Sequence, residues 1–250
     1  MKMKIGTYNI QHGRNFQLYL QTKQDGFGVD GIDAILRTYG VEICALNEVF
    51  RNTEDDEVGD QAGRIAAAMG YYHVFAKAAD FPKGEYGVAL ISKFPIVETR
   101  TVPISLPLDQ RDRVGAYYED RVLLIAEIDV DGKSLTAMVS HFGCVEEERA
   151  LAIQTVKREI AKIKNPILLM GDFNLTPDSA EYDDLITAIP SLSDTAALMG
   201  DKLQPNTFRS DRPTIKIDYI FVDASMRVHG VTVPETMRTD HRPYFCEVEW

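Results

Sequence analysis

The sequence predicts one mixed α/β domain. Strand-length apolar runs and helix-length amphipathic segments interleave along all 250 residues, and no Pro- or Gly-rich linker divides them. Hydrophobic residues make up 45% of the chain, the level of an ordinary globule with a sizeable core. There is no repeat at a solenoid period and no low-complexity segment. Residues 1–250 are therefore read as a single domain, at a length that would also suit two small ones.

Strands are predicted over residues 4–10, 41–46, 86–92, 122–130, 135–141, 167–170, 217–222, 228–233 and 244–249, where apolar residues concentrate. Val130-Asp131-Gly132-Lys133 places an Asp-Gly pair between two of them, a strong hairpin signal. Residues 167–170, Ile-Leu-Leu-Met, are bounded by Pro166 and Gly171 and suit a strand buried on both faces. In the last strand Tyr244, Cys246, Val248 and Trp250 alternate with polar neighbours, which buries one face. Helices are predicted over 31–39, 61–69, 146–163 and 179–189. The third carries Ala150, Ile153, Ile160 and Ile163 in an apolar stripe. Acids crowd its start and lysines its end, the order that the helix dipole favours. Pro177-Asp178-Ser179 starts the fourth. Two stretches read as long loops. Residues 52–60 carry five acids and read as a solvated run; residues 100–118, with Arg111, Asp112 and Arg113, are a substrate-facing loop or plain surface.

The formal net charge is −11. A surface of that sign repels a phosphate backbone at long range, so duplex DNA is a disfavoured partner unless a local basic patch overrides it. Cys44, Cys144 and Cys246 are odd in number and form no C-x-x-C spacing; buried free thiols in a reducing compartment are expected. No long apolar segment follows Met1-Lys2-Met3-Lys4-Ile5-Gly6, and no run of 18 apolar residues occurs. The expectation is a cytoplasmic protein with neither signal peptide nor membrane span, and with no obligate protein partner.

The chemistry concentrates where apolar strands end. After residues 167–170 come Gly171-Asp172-Phe173-Asn174. Alternation puts Asp172 and Asn174 on one side, a carboxylate and an amide leaving a core strand together. A plain turn accounts for the same residues. Four other motifs behave alike: Thr7-Tyr8-Asn9-Ile10, Ala45-Leu46-Asn47-Glu48-Val49, Val139-Ser140-His141-Phe142, and the pair Ile217-Asp218-Tyr219-Ile220 with Thr239-Asp240-His241-Arg242-Pro243. Singly, Glu48 reads as a surface carboxylate and His141 as a structural histidine. Asp218 lies in an apolar run and needs a partner, because burying it unpaired is costly. Together these motifs supply four carboxylates, two amides and two histidines, a set that suits Mg²⁺ or Mn²⁺. No zinc-type Cys/His spacing is present. Arg121, which follows Glu119-Asp120 and opens a strand, and Lys216 and Arg242, which adjoin the motifs, read as substrate clamps or as surface charges. His12 is placed at the rim of the site, and Cys144 and Tyr8 read as structural.

The ordered set Asn9, Glu48, His141, Asp172-x-Asn174, Asp218 and Asp240-His241 resembles the motifs of the endonuclease/exonuclease/phosphatase superfamily, the deoxyribonuclease I fold. The resemblance runs from residue 4 to residue 249. The T-Y-N-I-x-H-G, G-V-A-L-I-S-K-F-P-I and I-D-Y-I-F-V segments are similar to bacterial members of broad phosphodiesterase type. Asn47 departs from the pattern, standing where members usually carry Gln. The resemblance implies a four-layer αββα sandwich, two packed mixed β-sheets flanked by helices, and Mg²⁺- or Mn²⁺-dependent hydrolysis of phosphate esters. It also implies roles. Glu48 holds the cation with Asn9 and Asp240. Asp172 and Asn174 handle the attacking water, with His241 as a second base candidate. His141 contacts the phosphate, and Asp218 fixes either His141 or His241. Arg121 and His12 are the expected substrate-binding residues. The acidic balance and a lone tryptophan at position 250 favour a small, lipid or sugar-phosphate substrate over nucleic acid. The alternatives are an endo- or exonuclease, including an abasic-site nuclease, and a non-catalytic relative that binds phosphorylated ligands. A calcineurin-type phosphoesterase would need an early D-x-H and a later G-N-H, and neither is present.

Overall fold

Strands buried on both faces set this architecture. The computed structural model describes residues 1–51, 59–82, 84–110 and 117–250. Its strands are β1 (Lys2–Asn9), β2 (Ile43–Arg51), β3 (Tyr72–Phe81), β4 (Gly84–Ser92), β5 (Ile96–Ile104), β6 (Arg121–Val130), β7 (Lys133–His141), β8 (Ile167–Asp172), β9 (Leu192–Asp194), β10 (Asp218–Asp223), β11 (Arg227–Thr232) and β12 (Tyr244–Glu249). Its α-helices are α1 (Phe16–Thr22), α2 (Ile32–Tyr39), α3 (Gln61–Met69), α4 (Glu146–Ile160), α5 (Ala180–Ala188) and α6 (Thr195–Leu198). The strands form two six-stranded mixed sheets, ordered β11-β12-β1-β2-β4-β3 and β5-β6-β7-β8-β10-β9.

Between the sheets, Ile5, Ile43, Leu90, Leu124, Val139 and Met170 share one apolar core. The outer face of the first sheet buries Cys44 and Leu46 under Leu36 of α2 and Ile65 of α3. The outer face of the second sheet buries Leu169 and Phe221 under Val156 of α4 and Leu185 of α5. Such strands need apolar residues at every position, which is why 43–46 and 167–170 read as continuous runs rather than alternating ones. The result is the expected four-layer sandwich.

Among the described residues only β1/β2 and β7/β8 pair in parallel, and each needs a helical crossover, α1–α2 for the first and α4 for the second. The other pairings are antiparallel, including β10 with β8. β10 therefore starts where β8 ends, and Asp218 lies in register with Asp172. Asn47 stitches the two sheets together at this end. Its Nδ2 donates to Ser140 O at 2.9 Å, and its Oδ1 accepts from Asp172 N at 3.2 Å.

The structure corrects several local expectations. β3 and β5 are not among the expected strands, and residues 100–104 fall within an expected loop; both are edge strands with most residues partly or fully exposed, and exposure removes the apolar pattern that marks a strand. Residues 100–104 thus belong to β5, while Arg111, Asp112 and Arg113 lie outside the described residues, as do 52–58 of the acidic stretch. Asp60 is described and caps α3, accepting from Gly63 N at 3.0 Å. In α4 the acids and bases sit at the expected ends, but Ala150 is exposed. The buried stripe runs instead through Ala152, Ile153 and Val156. The Asp131-Gly132 pair forms the expected hairpin between β6 and β7, with φ of 52° and 86°.

Candidate active site

Each motif arrives at one edge of the sandwich. β1, β2, β7 and β8 deliver Asn9, Glu48, His141 and Asp172 at or near their carboxyl ends, and β10 delivers Asp218 at its start. Gly171 permits the close approach of β8 to β7: it sits at φ 154°, and a Cβ there would collide with the carbonyl of Ser140. A bulge between Leu46 and Val49 in the β2/β4 pairing turns Glu48 out of the ladder, and Glu48 adopts φ 54°. Asn174 has φ 50°, Gln11 φ 45° and His12 φ 44°. Left-handed backbone at non-glycine residues is strained, and it gathers at functional sites. Among the described residues, four of the six such positions lie here, the other two being Lys23 and Asp131.

Asp172 is 1% exposed. Its Oδ2 accepts from Asn9 Nδ2 at 3.0 Å and lies 3.6 Å from Nε2 of both His141 and His241. Its Oδ1 accepts from Asn174 N at 3.0 Å. Burial, and then the Asp218 carboxylate, push its pKa up to about 7. Asp218 serves His241, which settles the open pairing: His241 Nδ1 and Asp218 Oδ2 are 2.9 Å apart in a buried pair. Burial by itself lowers the His241 pKa, but Asp218 and Asp172 outweigh it and raise the pKa to about 10. His241 is thus an imidazolium across the neutral range.

His141 is governed differently. Arg121 Nη1 lies 2.7 Å from His141 Nδ1. A guanidinium only donates, so the shorter contact makes Nδ1 the acceptor and puts the ring proton on Nε2, facing Asp172 Oδ2 at 3.6 Å; the Asn174 amide nitrogen 3.2 Å from Nε2 is then a neighbour and not a hydrogen-bond partner. Burial, and then the cations Arg121 and His241, hold the His141 pKa well below its ordinary value. Arg121 also pairs with Glu119 at 2.8 Å and is 7% exposed; its terminal nitrogens orient protein groups. Asn174 Nδ2 donates to Phe142 O at 2.9 Å.

Glu48 accepts from Asn9 Nδ2 at 2.9 Å, and its other oxygen is 3.4 Å from His12 Nδ1. Asp240 Oδ2 accepts from Gln11 Nε2 at 2.8 Å. Burial, and then Glu48, raise the Asp240 pKa to about 6. Asp240 Oδ1 and Gln11 Oε1 are buried without a hydrogen-bond partner. Crowded carboxylates and orphaned amide oxygens fit a hard divalent cation. Asp172, Asp218 and His241 also bring ligand atoms within 4.8 Å of one another. There, however, Asp218 and His241 are spent on each other, and a positive imidazolium repels a cation. The carboxylates that could hold a cation are Glu48 and Asp240.

Glu48, His141, Asp172, Asn174, Asp240 and His241 floor a cleft of about 580 Å³. His12 and Arg121 line it as well. Lys216 does neither of the things expected of it: it is fully buried, with Nζ 2.6 Å from Asp194 Oδ2. Arg242 donates from Nε to Ser210 O at 2.9 Å. Cys44 and Cys246 are buried, but Cys144 is exposed and lines the cleft. Gln11, Glu119, Phe50, Phe81, Tyr86 and Phe208 are parts of the site that were not picked out from sequence. The positive φ at Gln11 and the aromatic walls have no local sequence signal. Among the described residues no helix is long and apolar enough to cross a membrane.

A model of the Endonuclease/Exonuclease/phosphatase family matches residues 6–241. Exodeoxyribonuclease III of Haemophilus influenzae is 27% identical over 164 residues, which cover 60% of this chain and 54% of that protein; the match spans about half of that relative's length. Among solved structures, the endonuclease/exonuclease/phosphatase from Beutenbergia cavernae has a TM-score of 0.80 at 22% identity, covering 99% of this chain and 71% of that one. The mannosyl-6-phosphatase Bt3783 of Bacteroides thetaiotaomicron has a TM-score of 0.78 at 18% identity, covering 99% and 100%. At such identities the structural likeness speaks to the fold.

Proposed function

The chain belongs to the endonuclease/exonuclease/phosphatase family, and from that premise we propose that it is a divalent-cation-dependent phosphoesterase acting on a small phosphate ester. The observation that carries this reading is Asp172: a buried carboxylate with a pKa of about 7, on the floor of a cleft, between two imidazoles whose Nε2 atoms are each 3.6 Å away. A base near neutral pKa and N–H donors beside it are what hydrolysis of a phosphate ester needs.

Asp172 takes the proton of the attacking water, and the Asn174 backbone N–H holds its other oxygen in place. His241, paired with Asp218 and raised in pKa by it, is read as an imidazolium that donates to a phosphate oxygen rather than as the base. His141 donates from Nε2, the tautomer that Arg121 imposes. Asn9 orients Glu48 and Asp172 through one amide nitrogen. Mg²⁺ or Mn²⁺, held by Glu48 and Asp240 beside Asn9 and Gln11, would supply the charge that offsets the phosphate and the leaving oxygen.

The cleft volume falls in the range of about 300–1,000 Å³ typical of small-molecule sites. Its described lining carries a single guanidinium, Arg121, which is already paired with Glu119, so little basic side-chain surface is on offer to a polyanionic strand. One relative is an exodeoxyribonuclease and one structural neighbour a mannosyl-6-phosphatase; the scarcity of free basic groups in the described lining supports a substrate of the second kind. The test is a substrate panel of nitrophenyl phosphate mono- and diesters, sugar phosphates, nucleotides, lipid phosphodiesters, RNA, and intact and abasic DNA. Each is assayed with Mg²⁺, Mn²⁺ and EDTA, and with Asp172→Ala. Metal-dependent turnover of small esters that is lost in the variant is expected. Faster cleavage of DNA would overturn the substrate assignment, and no turnover of any substrate would favour a non-catalytic ligand-binding role.

A further inference from the structure

One wall of the cleft is aromatic, and it starts at a proposed metal ligand. The His12 ring, whose Nδ1 is 3.4 Å from Glu48 Oε2, stacks on Phe50 with centroids 5.0 Å apart and planes 19° apart. Phe50 meets Tyr86 edge-on at 5.6 Å and Phe81 at 5.5 Å. Phe81 lies 5.3 Å from Tyr86. All four side chains line the cleft that holds Asp172 and both catalytic-candidate histidines.

A purely structural cluster would close over its own rings. This one does not: Phe81 stays 38% exposed at the end of an edge strand. Tyr117, on another segment of the same lining, is 61% exposed. Large aromatic rings left open beside polar, site-directed groups mark a surface kept for a ligand. The backbone supports the same conclusion, because His12 is held on Phe50 in a left-handed conformation at φ 44°. Gln61 holds the turn there, donating from Nε2 to His12 O at 2.6 Å and accepting from Phe50 N at 2.9 Å. One amide thus fixes both stacked residues.

We propose that Phe81, backed by Phe50, His12 and the buried Tyr86, forms a stacking subsite for a planar aromatic ring carried by the phosphate ester. This rests on the phosphoesterase reading above and adds the chemical class of the substituent. The ring is attached to the phosphate directly, as in an aryl ester, or across a pentose, as in a nucleotide. In either case the shared chemistry is a π-face within about two ring spacings of Glu48.

The test is equilibrium binding by calorimetry to the full chain with Mg²⁺, using two matched pairs of probes. Phenylphosphonate is compared with methylphosphonate, and adenosine 5′-monophosphate with ribose 5-phosphate, the second pair bound to Asp172→Asn to prevent turnover. In at least one pair the ring-bearing probe should bind about tenfold tighter, the scale of one aromatic stacking contact, and the pair that discriminates gives the ring's distance from the phosphate. Phe81→Ala should bring that ratio close to one, and Phe81→Trp should keep it. Equal affinities within both pairs would overturn the stacking subsite and leave the phosphoesterase reading standing. Binding of none of the four probes would overturn that reading itself. A ratio unchanged in a folded Phe81→Ala protein would also refute the subsite.

Discussion

Replacing Asp218 by Asn isolates the electrostatic centre of the site. The substitution keeps the size of the side chain and removes its charge, so the buried imidazole of His241 loses the carboxylate 2.9 Å from Nδ1. Removing one member of a buried ion pair costs about 3–5 kcal/mol, and against the lowering effect of burial Asp218 is the largest of the carboxylates, with Asp172 and Asp240, that raise the His241 pKa to about 10. For a chain of this length about 1 kcal/mol corresponds to roughly 2–4 °C of unfolding midpoint, so the metal-free variant should melt at least about 6 °C below the parent near pH 6.5. The sign follows from linkage. A histidine whose folded pKa is raised contributes its full stability below its unfolded value of 6.5 and loses it as pH rises through about 10. The gap between parent and variant should therefore be widest at pH 6–6.5 and close progressively towards pH 10. Thermal denaturation of both proteins in EDTA between pH 6 and 10 measures it. A gap that is constant with pH, or that widens as pH rises, would refute the assignment of His241 as a carboxylate-held imidazolium.

Asp172→Asn should cut turnover by about 10²–10⁴-fold, the contribution of a positioned general base. The same variant should be more stable than the parent in EDTA at pH 8 and no more stable near pH 4. A carboxylate whose folded pKa is raised to about 7 loses stability as pH rises from 3.8 through that value; calorimetric melts at the two pH values check this. Mg²⁺ titrated into metal-free protein should raise the unfolding midpoint, with a markedly smaller rise for Glu48→Gln, because a ligand that binds only the folded state stabilises it. Differential scanning fluorimetry reads both. Asn47→Ala should cost about 2 kcal/mol or more, since it leaves the buried Ser140 carbonyl and Asp172 N–H without the amide that bridges them. Asn47→Gln should cost about 1–3 kcal/mol from an extra methylene at a position with no exposed surface, as urea denaturation would measure.

How far the sequence could be read follows from where the signal is stored. β2 and β8 were legible because burial on both faces demands apolar residues in a row. The half-exposed edge strands β3 and β5 were not, because an edge tolerates polar residues at most positions. Ala150 misled for a related reason: a small residue fits either face of a helix, and neighbouring Ala152 is the one that is buried. Asp218 was readable as a carboxylate in need of a partner, since an unpaired charge in an apolar strand is costly. Two histidines were equally available to it, and only their positions in space could choose.

By itself the sequence determined the order and chemical types of the candidate groups, the alternation of strands and helices, and the resemblance that those motifs carry. The tertiary structure decided which groups meet. Asn9 touches Asp172 across 163 residues of chain, and Arg121 sets the tautomer of His141 across 20. It also decided that Lys216 is buried against Asp194 rather than free to clamp a ligand, and that His12, Phe50, Phe81 and Tyr86 form one wall. The physical reason is that local periodicity records which face of an element is buried, whereas distance-dependent terms such as ion pairing, desolvation and ring stacking depend on neighbours that only the packing of the two sheets brings together.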